Sequence, residues 1–272
     1  MADPLLPGPL WLVGCGNMAG AMLARWIEDG VDPAHVSVIR PSGAPCGDGI
    51  RVTTDYPEDE VPAIVLLGMK PYQLDLVAPL LAPILDPQTI LVSILAGVEL
   101  ASLHRRFPAP RTIVRAMPNL PVRIGKGVVA LCSDSDDGTA RGLITGLMAA
   151  LGHAEWFDSE GEFQLAGHLT GAGPAFLFRY IDALAVAAAR LGLPEDRAPR
   201  LALRMVEGAA MMAAAGPDDP ATLARKVASP NGTTEAGLKV LDGDGALASL
   251  VERTLEAARL RGLEIAAEAR QP

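Results

Sequence analysis

The chain has 272 residues, more than the roughly 100–200 of an ordinary single domain, so two domains or one elaborated domain are expected. Hydrophobic residues make up 50% and aromatics only 4%, so the core must be built from Ala, Leu, Val and Ile, which suits closely packed helices. A formal net charge of -9 argues against nucleic acid as a partner, because proteins that track phosphates need clustered Lys and Arg to release counterions.

Cys15, Cys46 and Cys132 are odd in number, far apart and without CxxC spacing, which gives neither a disulfide framework nor a zinc site. A reducing compartment, the cytoplasm, is expected. Residues 1–9 carry no basic region and are broken by three prolines, so they read as a short tail and not as a secretion signal. Apolar runs such as residues 63–67 stop far short of the roughly 20 residues a membrane helix needs, and no membrane partner is expected.

In chain order, residues 10–13, 36–39, 63–67, 89–94, 112–116 and 128–131 read as strands. They alternate with helical patterns over 17–29, 73–81, 99–106 and 139–151. Such alternation marks stacked βαβ units around a mostly parallel, doubly wound sheet of Rossmann type. After Phe157 the strand signal ends, and residues 174–191, 195–215, 220–227, 233–241 and 246–269 all read as helix. The division expected is an α/β dinucleotide-binding domain over 1–158 and an all-α substrate-binding and dimerisation domain over 159–272. Stretches as apolar as residues 182–189 should not face water, so the helical half is expected to bury itself against a second copy, as a homodimer or a higher homo-oligomer. Met205, Met211 and Met212 read as core filler.

Two segments carry chemistry. Gly14-Cys15-Gly16-Asn17-Met18-Ala19 follows the first strand and has the GxGxxG/A form. Its first Gly permits the turn, its second admits a pyrophosphate, and Ala19 allows close helix packing, with the phosphate over a helix N-terminus. The second strand ends in Arg40-Pro41-Ser42, where NAD-binding folds place an acid; a cation and a hydroxyl suit the 2′-phosphate of NADP, so NADPH is preferred over NADH. Near the chain's end, Ser229-Pro230-Asn231-Gly232-Thr233-Thr234 sets amides and hydroxyls at a helix start, an arrangement that holds a small carboxylate. The four histidines, His35, His104, His153 and His168, are scattered without metal-ligand spacing, and there is no GxSxG elbow, so neither a metal site nor a serine hydrolase is expected.

Further segments share one likeness. Lys70-Pro71, residues 93–98 (SILAGV), Arg115-Ala116-Met117-Pro118-Asn119, residues 170–176 (TGAGPAF) and residues 229–234 resemble, in this order, the motifs of pyrroline-5-carboxylate reductases, over residues 10–265. That resemblance implies a nicotinamide-dependent reductase of a cyclic imino acid, the final step of proline biosynthesis. It places the cofactor at Val13, Gly14, Gly16, Asn17, Met18, Arg40 and Ser42, with Gly68, Met69, Lys70, Pro71, Ile94, Leu95 and Ala96 towards the nicotinamide ribose. It places the substrate at Asn119, Gly173, Ser229, Gly232, Thr233 and Thr234, with the Thr234 hydroxyl near the ring nitrogen as the catalytic group.

The chain departs from the family pattern at Asn231 and Ala172, where Gly and Ser are usual, at Gly68-Met69 for Ala-Val, and at Leu120 for Thr. Asn tolerates left-handed backbone angles, so the first change is mild. Asp55 would repel a phosphate brought close to it. A β-hydroxyacid dehydrogenase would place a lysine on the helix over 174–191, and none is there. A scaffold that merely senses NADP would have no use for the second anion site.

Overall fold

The computed structural model describes residues 6–270, so most of the expected N-terminal tail, residues 1–5, lies outside the described residues. The chain forms two compact units: one runs through Ala172 and resumes at Arg259, and the other is Gly173–Ala258.

The first unit is built on one eight-stranded sheet, ordered β3-β2-β1-β4-β5-β6-β7-β8. Its strands are β1 (Leu10–Val13), β2 (Val36–Ile39), β3 (Arg51–Thr53), β4 (Ile64–Leu67), β5 (Ile90–Ser93), β6 (Thr112–Pro118), β7 (Gly127–Cys132) and β8 (Gly152–Phe157). All neighbours are parallel except β6 and β7, paired antiparallel with Arg115 opposite Cys132. Strands β1, β2, β4 and β5 are buried at every position, as expected of a parallel sheet covered on both faces. Side chains alternate between two cores. Leu10 and Leu12 meet Met22, Leu23 and Trp26 of α1 (Asn17–Glu28) and Ile144 and Leu147 of α4 (Gly138–Ala149). Trp11 and Val13 face the opposite core, with Leu74 and Leu81 of α2 (Leu74–Leu81) and Leu100 and Leu103 of α3 (Leu100–Arg106).

The two strands that the sequence pattern omits, β3 and β8, are the sheet's edges. β3 has three residues, and β8, which contains His153 and Glu155, is exposed at alternate positions, so neither shows the continuous apolar run of a central strand.

Helix α5 (Glu160–Arg190) corrects an expected boundary: it starts at Glu160 and carries Pro174 inside it. Ser159 caps the start, its Oγ accepting from the Glu162 amide at 3.2 Å and its carbonyl from the Phe163 amide at 3.0 Å. Glu160 Oε1 accepts from Arg115 Nη1 at 2.5 Å and from the Leu100 amide at 2.9 Å. The Arg115 guanidinium also lies 4.6 Å from the centroid of the Phe163 ring, which is buried in the second core. Tertiary contacts therefore hold the first turns of α5 against the sheet, past residue 158 and within the first unit.

The second unit contains the rest of α5, α6 (Ala198–Ala215), α7 (Pro220–Val227), α8 (Thr233–Asp242) and the start of α9 (Ala246–Arg270). Its buried cluster is thin, Ala185, Ala198 and Ala202 with flanking Ile181, Leu184 and Leu193. Met205, Met211 and Met212 are not core filler: they are exposed, at 53%, 67% and 53%, because only the alanines of this unit find an interior. Helix α5 is longer than the apolar runs read from the sequence, and it passes a test for a membrane that the core helix of a soluble protein also passes. By length and composition it qualifies to cross one, with a mean hydropathy of 1.3 over its best 18-residue window. The sequence expectation rests on unbroken apolar runs, whereas this window tolerates interspersed Gly, Thr and Pro.

Arg115 is 3% exposed and Glu160 31%, so removing the carboxylate strands a buried cation. Glu160→Ala is expected to cost about 3 kcal/mol of unfolding free energy in urea; a wild-type midpoint would refute the tie between α5 and the sheet.

Candidate functional site

In the first unit a candidate site lies at the carboxyl ends of β1, β2, β4 and β5. Strand order reverses at β1, which has β2 on one side and β4 on the other, and such a switch point opens a crevice above the sheet. Gly14 turns the chain there with φ at 84°; its amide donates to the Ile39 carbonyl at 2.8 Å, and a Cβ on it would stand 2.6 Å from the Met69 amide nitrogen. The Gly68 amide donates to the Val13 carbonyl at 2.9 Å, and a Cβ on Gly68 would meet the Gly14 carbonyl at 2.7 Å and Ala19 Cβ at 2.8 Å. The departure at Gly68 thus accompanies a close approach of the β1 and β4 loops.

Above this contact the loop is open. A Cβ on Gly16 would find nothing nearer than the Gly68 carbonyl at 4.0 Å, and no side chain caps α1 at Gly16. Gly16 and Asn17 are exposed. Unpaired first-turn amides behind a glycine that leaves room for a ligand fit the pyrophosphate of a dinucleotide.

The remaining cofactor candidates surround this turn with different degrees of access. Val13 and Leu95 have buried side chains, so they offer backbone only, while Met18, Met69 and Ile94 are half-buried against the cores. Lys70 and Ala96 are exposed and Pro71 half-buried, with the Lys70 amide donating to Gln73 Oε1 at 3.0 Å. Arg40 donates from Nη1 to Cys46 Sγ at 3.0 Å, and Ser42 Oγ accepts from the Ala44 amide at 3.3 Å. Asp55, the residue opposed to a phosphate here, accepts from Thr54 Oγ1 at 2.9 Å and is exposed.

The second unit carries a candidate site of its own. Gly232 is the N-cap of α8 and no side chain caps it, which leaves the amides of Thr233 and Thr234 in the first turn. Asn231 adopts φ 58°, the left-handed conformation for which the family's glycine is suited. The Gly232 amide donates to the Ser229 carbonyl at 3.0 Å, closing the turn. Thr234 is half-buried, and Ser229 and Thr233 are exposed. Gly173 has open space where a Cβ would point.

Motif reasoning passes over Glu235. Its Oε2 accepts from the Asn231 amide at 2.6 Å and its Oε1 pairs with Lys239 at 3.3 Å. The signal is present in the chain: a Glu three residues after the N-cap reaches back to hold the turn.

Asn119 has an occupation that the motif does not reveal. Its Oδ1 accepts from the Val128 amide at 2.9 Å, and its Nδ2 donates to the Thr170 carbonyl at 3.0 Å. Thr170 stands four residues before Pro174, whose missing N–H leaves that carbonyl without its helical partner. The side-chain amide makes good the loss. His168 packs instead against α9: a Cβ on Gly262 would collide with the His168 ring, and burial, then the nearby Arg259 charge, lower the ring's pKa. Among the described residues, no group of three or more His, Cys, Asp or Glu converges as a metal site would require.

Comparison with known proteins then decides the lineage. Residues 160–265 match the family model for pyrroline-5-carboxylate reductase dimerisation. The pyrroline-5-carboxylate reductase of Pseudomonas aeruginosa is 35% identical over 264 residues, covering 93% of this chain and 95% of that one. The chain belongs to the pyrroline-5-carboxylate reductase family. A solved pyrroline-5-carboxylate reductase from Coxiella burnetii superposes with a TM-score of 0.87 at 32% identity, over 95% of this chain and 98% of that one. The fold also matches that of the Plasmodium falciparum pyrroline carboxylate reductase solved with NADP bound, with a TM-score of 0.82 at 21% identity over 96% and 98% of the two chains.

Asn119→Ala would leave a part-buried amide and a part-buried carbonyl unpaired, and is expected to cost about 1–3 kcal/mol in urea unfolding. Asn119→Asp keeps the acceptor for Val128 but sets a carboxylate against the Thr170 carbonyl, so it should not rescue; full rescue by Asp would show that the Thr170 bond contributes nothing.

Proposed function

We propose that the chain reduces 1-pyrroline-5-carboxylate to L-proline, the final step of proline biosynthesis, using NADPH in preference to NADH. The observation that carries this reading is a pair of helix N-termini without side-chain caps. One lies behind the Gly14–Gly16 turn at α1 and the other behind Ser229–Gly232 at α8 with the Thr234 hydroxyl beside it.

The first receives the dinucleotide pyrophosphate, with Gly14, Gly16, Asn17 and Met18 around it. Arg40 and Ser42 face the 2′-phosphate, and Gly68, Met69, Lys70, Pro71, Ile94, Leu95 and Ala96 line the way to the nicotinamide. When bound, the reduced nucleotide supplies a hydride for the imine carbon. The second N-terminus, through the amides of Gly232, Thr233 and Thr234 with Ser229 adjacent, holds the substrate carboxylate. A protonated cyclic imine is already electrophilic, so no strong base or nucleophile is needed and positioning is most of the work. The Thr234 hydroxyl orients the ring nitrogen and keeps its proton in place. Asn119 acts by setting the backbone at Thr170, ahead of Gly173. Helix α5 contains no lysine, which speaks against alcohol or carbonyl chemistry of the β-hydroxyacid dehydrogenase kind.

The functional division into a nucleotide domain over 1–158 and a substrate and dimerisation domain over 159–272 accords with these roles. Exposed Phe176, Phe178, Tyr180 and Val186 on α5, within the matched dimerisation segment, support a homodimer or a higher homo-oligomer as the state that covers them. Three free thiols fit a cytoplasmic setting.

Mixing the purified chain with NADPH and pyrroline-5-carboxylate should consume the nicotinamide absorbance, faster than with the six-membered imine; no consumption with either imine would refute the reading. Thr234→Ala should lower kcat/KM at least tenfold, about 1.4 kcal/mol of transition-state stabilisation, and unchanged kinetics would exclude Thr234. Arg40→Ala should raise the KM for NADPH far more than that for NADH; equal losses would remove Arg40 from the 2′-phosphate site.

A further inference from the structure

Two thiols stand at the glycine turn and take no part in the chemistry above. β1 and β2 run side by side with Val13 opposite Ile39, so the loops that leave these strands begin as neighbours. Cys15 is on the first loop and Cys46 on the second, both half-buried and packed against the same core. The Cys15 thiol has Cys46 as a neighbour close enough to raise its pKa, while Cys46 Sγ accepts from Arg40 Nη1 at 3.0 Å and donates to the Ala44 carbonyl at 3.8 Å. Gly43, Gly47 and Gly49, all at positive φ, give the segment that bears Cys46 the backbone freedom to bring two neighbouring sulfurs to a bond length of about 2.05 Å.

We propose that Cys15 and Cys46 form an oxidative modification site, at which hydrogen peroxide converts the thiol pair to a disulfide that closes the nucleotide turn. The inference rests on that turn being the nucleotide site. Burial, and then the neighbouring Cys46 thiol, push the Cys15 thiol up to about 12, and Cys46, whose sulfur lies against the Arg40 guanidinium, is the one that reacts first. Its sulfur, as thiolate, attacks a peroxide oxygen; the O–O bond breaks, a sulfenic acid forms, and the departing hydroxide leaves as water with the thiol's proton. The Cys15 sulfur then attacks the sulfenic sulfur, the S–O bond breaks, and hydroxide leaves with the Cys15 proton as a second water. Two thiols and one peroxide become one disulfide and two waters. Cys15 is a weak nucleophile while protonated, but contact with its target offsets this by making the step intramolecular. The product removes Cys46 from the Arg40 guanidinium and ties down the loop between Gly14 and Asn17.

The test treats the full chain with hydrogen peroxide, blocks remaining thiols with iodoacetamide and maps tryptic peptides by mass spectrometry, with NADPH titrated by fluorescence before and after. The expected result is a linked Cys15–Cys46 peptide pair lighter by two hydrogens, an NADPH affinity at least tenfold weaker, and restoration of both by dithiothreitol. Cys132→Ser should retain the link and Cys46→Ser should abolish it, with circular dichroism confirming that each variant is folded. Sulfinic acids without a linked pair, or a pair that includes Cys132, would overturn the proposal, as would a linked protein that binds NADPH as tightly as before. A reduced protein that does not bind NADPH refutes the nucleotide reading instead, and the peptide map then judges the thiol pair on its own.

Discussion

The close approach of two loops at the top of the sheet governs how the glycine turn is presented. Gly68 donates its amide to Val13, and Gly14 passes so near Met69 that a side chain at either glycine would strike backbone. Because β1 and β4 are adjacent parallel strands, the loops leaving them must either collide or interlock, and two glycines let them interlock. With the loops seated this deeply, the first turn of α1 stands clear, and its amides face open space at Gly16. An anion site formed this way needs no charged residue, since the partial charge of the helix end and the unpaired N–H groups supply the attraction.

A second constraint concerns α5, which begins against the sheet and carries a proline at its middle. The buried Arg115 guanidinium, held by Glu160 and stacked on Phe163, fixes the helix start. Four residues before Pro174 the Thr170 carbonyl has lost its helical donor, and Asn119, reaching from the end of β6, supplies one. The same side chain accepts from Val128 at the start of β7, so one amide joins the antiparallel turn of the sheet to the weak point of the helix. A residue that a motif would assign to substrate contact thus also has a mechanical task. That task makes the motif's spacing intelligible, since a proline in a long helix calls for an external donor.

The central strands and the candidate turns were legible in the sequence for physical reasons. Runs such as residues 10–13 and 64–67 are apolar on both faces, and only a covered parallel sheet buries both. The glycine turn and residues 229–234 announce themselves by backbone demands that few residues meet, and the left-handed angle at Asn231 is one such demand. The edge strands β3 and β8 were not legible, because a short or half-exposed strand owes its existence to the neighbour that pairs with it. The expected start of α5 falls too late because Pro174 resembles a first helical residue, although Ser159 with Glu162 three residues on is the earlier and better cap. The methionines of α6 mislead for a related reason: composition says that a residue is apolar, not which of the available interiors it will reach.

The sequence by itself determined the alternation of strands and helices, the change to an all-helical half, the two helix starts suited to anions, and the kinship that these motifs carry. Such features depend on local periodicity and on residues with special backbone freedom, and both are written in the order of the chain. Only the tertiary structure decided that Asn119 serves the Thr170 carbonyl, that Arg115 and Glu160 pin α5 to the sheet, and that Cys15 and Cys46 meet beside Arg40. Each of these pairings joins residues separated by 30 or more positions. A hydrogen bond or a thiol contact across such a separation exists only once strand order and register have brought the partners together, and neither order nor register is encoded by any one segment.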